Sequence, residues 1–204
     1  MLAVPFTETN ASSLIYDLPS ILDRLDLAKM FPQRQPLEVE LGSGDATFST
    51  EYAGQHPTRN FIGVERLLGR MRKLDRKGRR ARLENLRGVR IESAYFLEFL
   101  LPRHSAEALH IYFPDPWPKQ KHQRHRLINS RFPQLAYAAL GPGGRVYLRT
   151  DDGDYFKQML AVFAASTNFQ LVETPAELAT ILTDFERDFT ARGVVTLRAA
   201  YRRD

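Results

Sequence analysis

Apolar residues recur along this chain in short runs separated by glycine- and proline-marked turns. Pro36-Leu37-Glu38-Val39-Glu40-Leu41 alternates apolar and acidic positions, the period of a strand, and runs into Gly42-Ser43-Gly44. Ala46 to Gln55 predicts the helix that follows. Phe61-Ile62-Gly63-Val64-Glu65 is a second short strand, again ending in an acid. Leu67 to Arg82 predicts a basic helix with Leu67, Met71 and Leu74 on one face. Val89-Arg90-Ile91 predicts a third strand and Ala108 to Phe113 a fourth. A helix from Ser130 to Leu140 stops at Gly141-Pro142-Gly143-Gly144. Arg145 to Thr150 is a fifth strand ending at Asp151-Asp152, followed by a helix over Tyr155 to Ala165. Phe169 to Glu173 and Val194 to Tyr201 predict closing strands. Ahead of them all, Ser12 to Met30 has helical apolar spacing broken at Pro19.

Strands alternating with helices predict an α/β fold with a mostly parallel sheet and helices on both faces. There is no internal repeat and no low-complexity linker. The expectation is one domain over 1–204, with a lead-in helix or arm over 1–35 and a core over 36–204. In such sheets ligands sit beyond the carboxyl ends of the strands. Glu40, Glu65, Asp115 and Asp151 all fall at or just past those ends, so the acids are expected to converge.

Composition changes this picture in two places. The 204 residues include no cysteine, which excludes disulfides, thiolate metal sites and a cysteine nucleophile. No metal is expected. The net charge of +5 admits an acidic partner without requiring one, but the charge is uneven. From Arg66 to Arg90 eleven Lys/Arg face two acids, Asp75 and Glu84. That segment reads equally as a surface for an acidic partner and as a solvated helix face. No apolar run is long enough to span a membrane. The start, MLAVPFTETNASS, lacks the charged and apolar regions of a signal peptide, so a cytoplasmic protein is expected.

The densest chemistry lies in Tyr112-Phe113-Pro114-Asp115-Pro116-Trp117-Pro118-Lys119. Each proline locks its own φ and pushes its predecessor toward extended geometry. The loop therefore holds one carboxylate stiffly beside aromatic rings, as a site for a flat, hydrogen-bonding base requires. Trp117 is open to two readings, stacking on that base or packing under the loop. Gln120-Lys121-His122-Gln123-Arg124-His125-Arg126 follows at once and adds the cations that phosphates require.

Glu40-Leu41-Gly42-Ser43-Gly44 ends the first strand, and Glu65 ends the second, where an acid typically grips ribose hydroxyls. Nicotinamide dinucleotides and S-adenosylmethionine share this geometry. A dinucleotide wants a third glycine where Thr47 stands, and Asp45 and Glu51 add charge where its pyrophosphate would lie. Glu40 suits the cationic methionine end of S-adenosylmethionine, which is the favoured cofactor.

With these motifs in view, the chain resembles the bacterial tRNA (guanine-N7-)-methyltransferase family, the TrmB family. The resemblance runs from Leu37 to the C-terminus. It rests above all on Phe113-Pro-Asp-Pro-Trp-Pro-Lys119 with its basic tail, joined by Asn85-Leu86-Arg87, Thr150-Asp151 and Thr183-Asp-Phe-Glu186. It implies a Rossmann-like class I methyltransferase fold with a seven-stranded sheet, S-adenosylmethionine as cofactor and tRNA as partner. The implied reaction is methylation of N7 of guanine 46 in the variable loop. It further implies that Glu40, Gly42, Gly44, Glu65, Ser93 and Ala94 hold the donor, with Asp115 catalytic and touching both donor and guanine. Lys119, Asp151, Thr183, Phe185 and Glu186 would line the RNA site, and Lys121, Arg124 and Arg126 would take the backbone. Thr183-Asp184-Phe185-Glu186 also reads as a capping box. The chain departs from the family at Ser93, where an aspartate is usual, at Arg149, where an alanine is usual, and in a short N-terminus.

Two rival readings remain at this stage. An amino-methyltransferase acting on adenine or cytosine also places a proline-flanked acid after the fourth strand, although usually as Asn-Pro-Pro or Asp-Pro-Pro. A non-catalytic RNA-binding relative draws its support from Ser93. The oligomeric state is not legible in the sequence.

Overall fold

Strand β1, Leu37–Leu41, is buried at all five positions and lies inside a seven-stranded sheet, third from one edge. The computed structural model describes residues 13–204, so residues 1–12 of the expected lead-in lie outside the described residues. In chain order the elements are α1 (Leu27–Met30), β1, α2 (Thr47–Gln55), β2 (Asn60–Val64), α3 (Leu68–Arg80), β3 (Leu86–Val89) and α4 (Ser93–Tyr95). Then come β4 (Ala106–Tyr112), α5 (Phe132–Ala139), β5 (Leu140–Thr150), α6 (Gly153–Ala164), β6 (Phe169–Val172), α7 (Ala176–Thr180), α8 (Asp184–Ala191) and β7 (Leu197–Arg203). A π-helical turn, Phe96–Leu100, extends α4, and a 3-10 turn, Gln120–His125, follows the loop after β4.

The strand order is β3-β2-β1-β4-β5-β7-β6, parallel throughout except for β7, which runs antiparallel to β5 and β6. The order reverses between β1 and β4, and a crevice opens beyond the strand ends at such a reversal. The apolar–acid alternation of β1 does not mark a solvent-exposed face, because Glu38 and Glu40 are both buried. Glu38 meets Nε2 of His110 at 2.7 Å and accepts from Arg59 at 2.7 Å. Nδ1 of His110 lies 2.8 Å from the Tyr112 hydroxyl. This buried polar chain pins β1 to β4 just below the crevice.

The lead-in is not the expected long helix. Within the described residues only Leu27–Met30 is helical there. Leu14 to Tyr16 instead add a short parallel bridge to the sheet edge at β3, with Gly88 N–H donating to Leu14 O and Tyr16 N–H to Gly88 O, both at 2.8 Å. Helical spacing loses here because tertiary contact wins: a Cβ on Gly78 would come within 2.4 Å of the Leu14 side chain, so glycine admits it. Strand β3 also begins earlier than Val89. Its one glycine, Gly88, faces the Met71 sulfur, which would lie 2.3 Å from an added Cβ.

Helix α3 buries Met71, Leu74 and Gly78, while Leu67 lies just before it and is exposed. Its outer side sets Arg72 against Arg76 and Arg76 against Arg80 at i,i+4, where each like-charge pair costs about 0.2–0.5 kcal/mol. Among the described residues no helix is long and apolar enough to cross a membrane, and no group of three or more His, Asp or Glu side chains could hold a metal ion.

Candidate active site

Beyond β1 the chain turns on Gly42 and Gly44, whose φ values are 84° and 55°. Gly42 and Ser43 both donate to the Val64 carbonyl at 2.9 Å, which ties the turn to β2. Nothing lies within 4 Å of a Cβ built on Gly42, so the backbone there faces open space. Glu65 stands behind the turn, 6% exposed. Its two oxygens accept from Gly44 N–H at 3.2 Å and Leu67 N–H at 2.8 Å. Each oxygen keeps a lone pair for a further donor, as a ribose hydroxyl requires.

The space in front is a cavity of about 340 Å³. Its lining includes Glu40, Gly42, Ser43 and Gly44 on one side, and Phe113, Pro114, Asp115 and Asp151 on the other. Burial pushes the Glu40 carboxyl up to about 8, against the pull of a hydrogen bond donated by the Ser49 hydroxyl and of the Arg149 charge.

The loop that carries Asp115 is bent at both ends. Phe113 and Trp117 have φ of 50° and 43°, a left-handed region that bulky residues rarely enter and that costs about 1–3 kcal/mol each. Surrounding contacts hold the bend. Phe113 N–H donates to the Arg149 carbonyl at 2.8 Å, and Arg126 Nε donates to the Pro116 carbonyl at 2.7 Å. Asp115 itself is exposed at the apex.

Thr183, Phe185 and Phe189 close the far rim. Thr183 Oγ1 caps α8 by accepting from Glu186 N–H at 3.1 Å and also sits on the rim, but the reciprocal half of a capping box is not made, since the Glu186 carboxylate accepts from Arg149 and Arg198 instead. The rings of Phe113, Phe185 and Phe189 lie 5.5 to 6.4 Å apart, centroid to centroid, and Phe185 is 49% exposed. Asp152 caps α6 through Tyr155 N–H at 2.7 Å, which leaves Asp151 to the cavity.

The structure therefore gathers Glu40, Gly42, Gly44, Asp115, Asp151, Thr183 and Phe185 around one cavity, with Glu65 bonded to its glycine turn. Ser93 and Ala94 open α4, where Glu92 accepts from the N–H groups of Ala94 and Tyr95; neither residue lines this cavity. Lys119, Lys121 and Arg124 are exposed beyond the loop.

Two expected RNA contacts are internal instead. Arg126 is 2% exposed and donates to Gln158 at 2.7 Å and Asp154 at 2.8 Å, with its guanidinium over the Tyr155 ring. Glu186 is fully buried between Arg149 and Arg198. Both brace the site from behind. Trp117 packs toward His125, at 5.2 Å, and is absent from the cavity wall.

Sequence reasoning missed Phe48, Arg70, Phe113 and Phe189 as cavity residues. Phe113 was signalled by its place in the proline-rich motif. The others carried no local signal, since only the fold brings them to β1 and β4.

The wall carries Glu40, Asp45, Asp115 and Asp151 against one cation, Arg70. The Ser43 hydroxyl is buried there and has no hydrogen-bond partner among the described residues. An acidic pocket with an orphaned hydroxyl and an open glycine backbone fits a small cationic ligand rich in polar groups. S-adenosylmethionine is such a ligand.

A family described as "Putative methyltransferase" matches residues 34–199. A tRNA (guanine-N(7)-)-methyltransferase of Syntrophotalea carbinolica is 38% identical over 136 residues, which are 67% of this chain and 59% of that protein. The Nitrosomonas europaea protein of the same name is 33% identical over 91% of this chain and 86% of its own length. Among solved structures, the 16S rRNA methyltransferase KamB superposes with a TM-score of 0.65 at 16% identity, covering 89% of this chain and 95% of that one. TrmN from Thermus thermophilus gives 0.60 at 18% identity, covering 87% and 47%. These two likenesses speak for the fold alone. On the family match and its sequence relatives, the chain belongs to the TrmB family of S-adenosylmethionine-dependent tRNA (guanine-N7-)-methyltransferases.

Proposed function

We propose that this chain methylates N7 of guanine at position 46 in the variable loop of tRNA, as one catalytic domain over residues 36–204 acting in the cytoplasm. The observation that carries this reading is the polarity of the site. Acids line the cavity, while Lys119, Lys121 and Arg124 stand exposed outside it. Such a site holds a cationic donor inside and a polyanion across its mouth.

S-adenosylmethionine, when bound, supplies a methyl group already activated by a sulfonium. Guanine N7 carries a lone pair and no proton, so no general base is needed to make the nucleophile. The protein's task is then orientation. Glu40 and the turn at Gly42 and Gly44 hold the methionine end. Glu65 holds the ribose.

Asp115, on its stiffened loop, accepts from N1–H and the exocyclic amine of guanine and so fixes the plane of the base. Adenine presents the wrong edge and is excluded. The target base must leave its stack to enter, and Phe113, Phe185 and Phe189 offer it an apolar face in return. Methylation leaves a positive charge on the purine, which Asp115 and Asp151 stabilise.

The test is incubation with labelled S-adenosylmethionine and bulk tRNA, followed by chemical cleavage at N7-methylguanine. Cleavage in the variable loop is expected for the parent protein and none for Asp115→Ala. Label without cleavage there, or near-parental turnover by the variant, would refute the assignment.

A further inference from the structure

We propose that the outer face of α3 is a second RNA-docking surface, taking the phosphates of a duplex stem that adjoins the target base. The proposal rests on the tRNA reading above and adds to it a partner surface on the β2 side of the cavity.

Seven of the thirteen residues of α3 are Lys or Arg, against one acid, Asp75. Three of the seven have carboxylate neighbours: Lys77 with Asp45, Arg79 with Asp75 and Arg70 with Glu65. Arg72, Lys73, Arg76 and Arg80 are exposed and have no carboxylate within 4.0 Å among the described residues. At 3.6 residues per turn these four stand opposite the buried Met71, Leu74 and Gly78.

A solvated helix face usually interleaves opposite charges at i,i+4. This one repeats the same sign at 72, 76 and 80 and so carries repulsion that a polyanion would relieve. The helix starts at the cavity, where Arg70 is part of the wall, and runs away from it for about 20 Å.

Lys119, Lys121 and Arg124 lie on the β4 side, so the cavity mouth is flanked by cations on both sides. The exposed face of α3 offers no aromatic side chain between its cations. Single strands are held largely by stacking on such rings, whereas duplexes are held through phosphates. The surface therefore fits a stem.

The experiment compares the parent with a variant carrying Arg72→Gln, Lys73→Gln, Arg76→Gln and Arg80→Gln, measuring tRNA binding across a salt series. The variant should bind at least tenfold more weakly at low salt, and its log–log salt slope should fall by about 3. S-adenosylmethionine binding should be unchanged, and the melting temperature equal or higher, since like charges have been removed. A companion variant carrying Arg72→Lys, Arg76→Lys and Arg80→Lys should bind tRNA as the parent does.

Parental affinity and slope in the glutamine variant would overturn the inference. So would a variant that loses sedimentation with phosphatidylserine vesicles yet keeps tRNA. If the parent binds tRNA but does not methylate N7, the functional reading fails while the docking surface still stands or falls on these binding data.

Discussion

Arg149 Nη1 donates to Glu186 Oε2 at 2.9 Å, and both side chains are 1% exposed. The same guanidinium donates to the carbonyls of Ile181 and Leu178 and lies 4.1 Å from the Tyr112 ring centroid. The second oxygen of Glu186 takes Arg198 at 2.5 Å. The end of β5 is thus bolted to the segment that carries Thr183 and Phe185. Removing one partner of a buried pair strands the other charge, which costs about 3–5 kcal/mol. Glu186→Gln should lower the melting temperature by an amount matching at least ~3 kcal/mol. The pair Arg149→Met with Glu186→Leu should be less destabilised than the two single changes summed. Additive losses in that double-mutant cycle would show that the two residues do not act as a unit.

If Glu40 holds the methionine end as proposed, donor binding should depend on pH. Its folded pKa of about 8 lies above the ordinary value of 4.5 because the group is buried. The folded protein therefore holds a proton that the unfolded chain has lost between those values. The stability Glu40 contributes is complete below about pH 4.5 and is lost as pH rises through about 8. A cationic donor favours the carboxylate and reverses that preference. Uptake of S-adenosylmethionine near pH 7 should release protons, read as a buffer-dependent enthalpy in calorimetry. Glu40→Gln should abolish the buffer dependence, and an enthalpy identical in all buffers for the parent would refute the role.

Arg126 and its basic neighbours should separate cleanly. Lys119→Gln, Lys121→Gln and Arg124→Gln together should reduce the salt slope of tRNA binding by about 2–3. Arg126→Gln should leave that slope unchanged while lowering turnover and melting temperature, because Arg126 holds the Pro116 carbonyl. A lowered slope from Arg126→Gln alone would return it to the RNA surface.

Phe185→Ala removes the most exposed ring of the aromatic rim. Base–aromatic stacking contributes about 1–3 kcal/mol per base, so the KM for tRNA should rise roughly five- to hundredfold. S-adenosylmethionine affinity should hold within twofold. A KM equal to that of the parent would leave the ring without a part in base capture.

The order of strands and helices was legible because β1, β2 and β4 are short, mostly apolar runs closed by glycine, acid or proline. The glycine side of the cavity was legible for the same reason: local spacing announces Gly42, Gly44 and the acid Glu65 that ends the next strand. What misled was burial that depends on partners distant in the chain. Arg126 looks like its exposed neighbours until α6 brings Asp154 and Gln158 to it. Glu186 reads as a helix-start acid until β5 and β7 supply two arginines. The lead-in showed helical spacing, yet Leu14 is claimed by the gap at Gly78 and Ile15 by the free edge of β3. Arg149 was visible as a departure from the family, but its partner lies thirty-seven residues downstream.

The two left-handed bends at Phe113 and Trp117 have a kinetic consequence. Because hydrogen bonds to Arg149 and Arg126 set the arc, neither ligand has to shape it on arrival. On the proposed role of Asp115, the carboxylate is held at a fixed address and the base must travel to it. The conformational search before transfer is then a motion of the RNA, in which guanine leaves its stack, with no loop closure needed on the protein side.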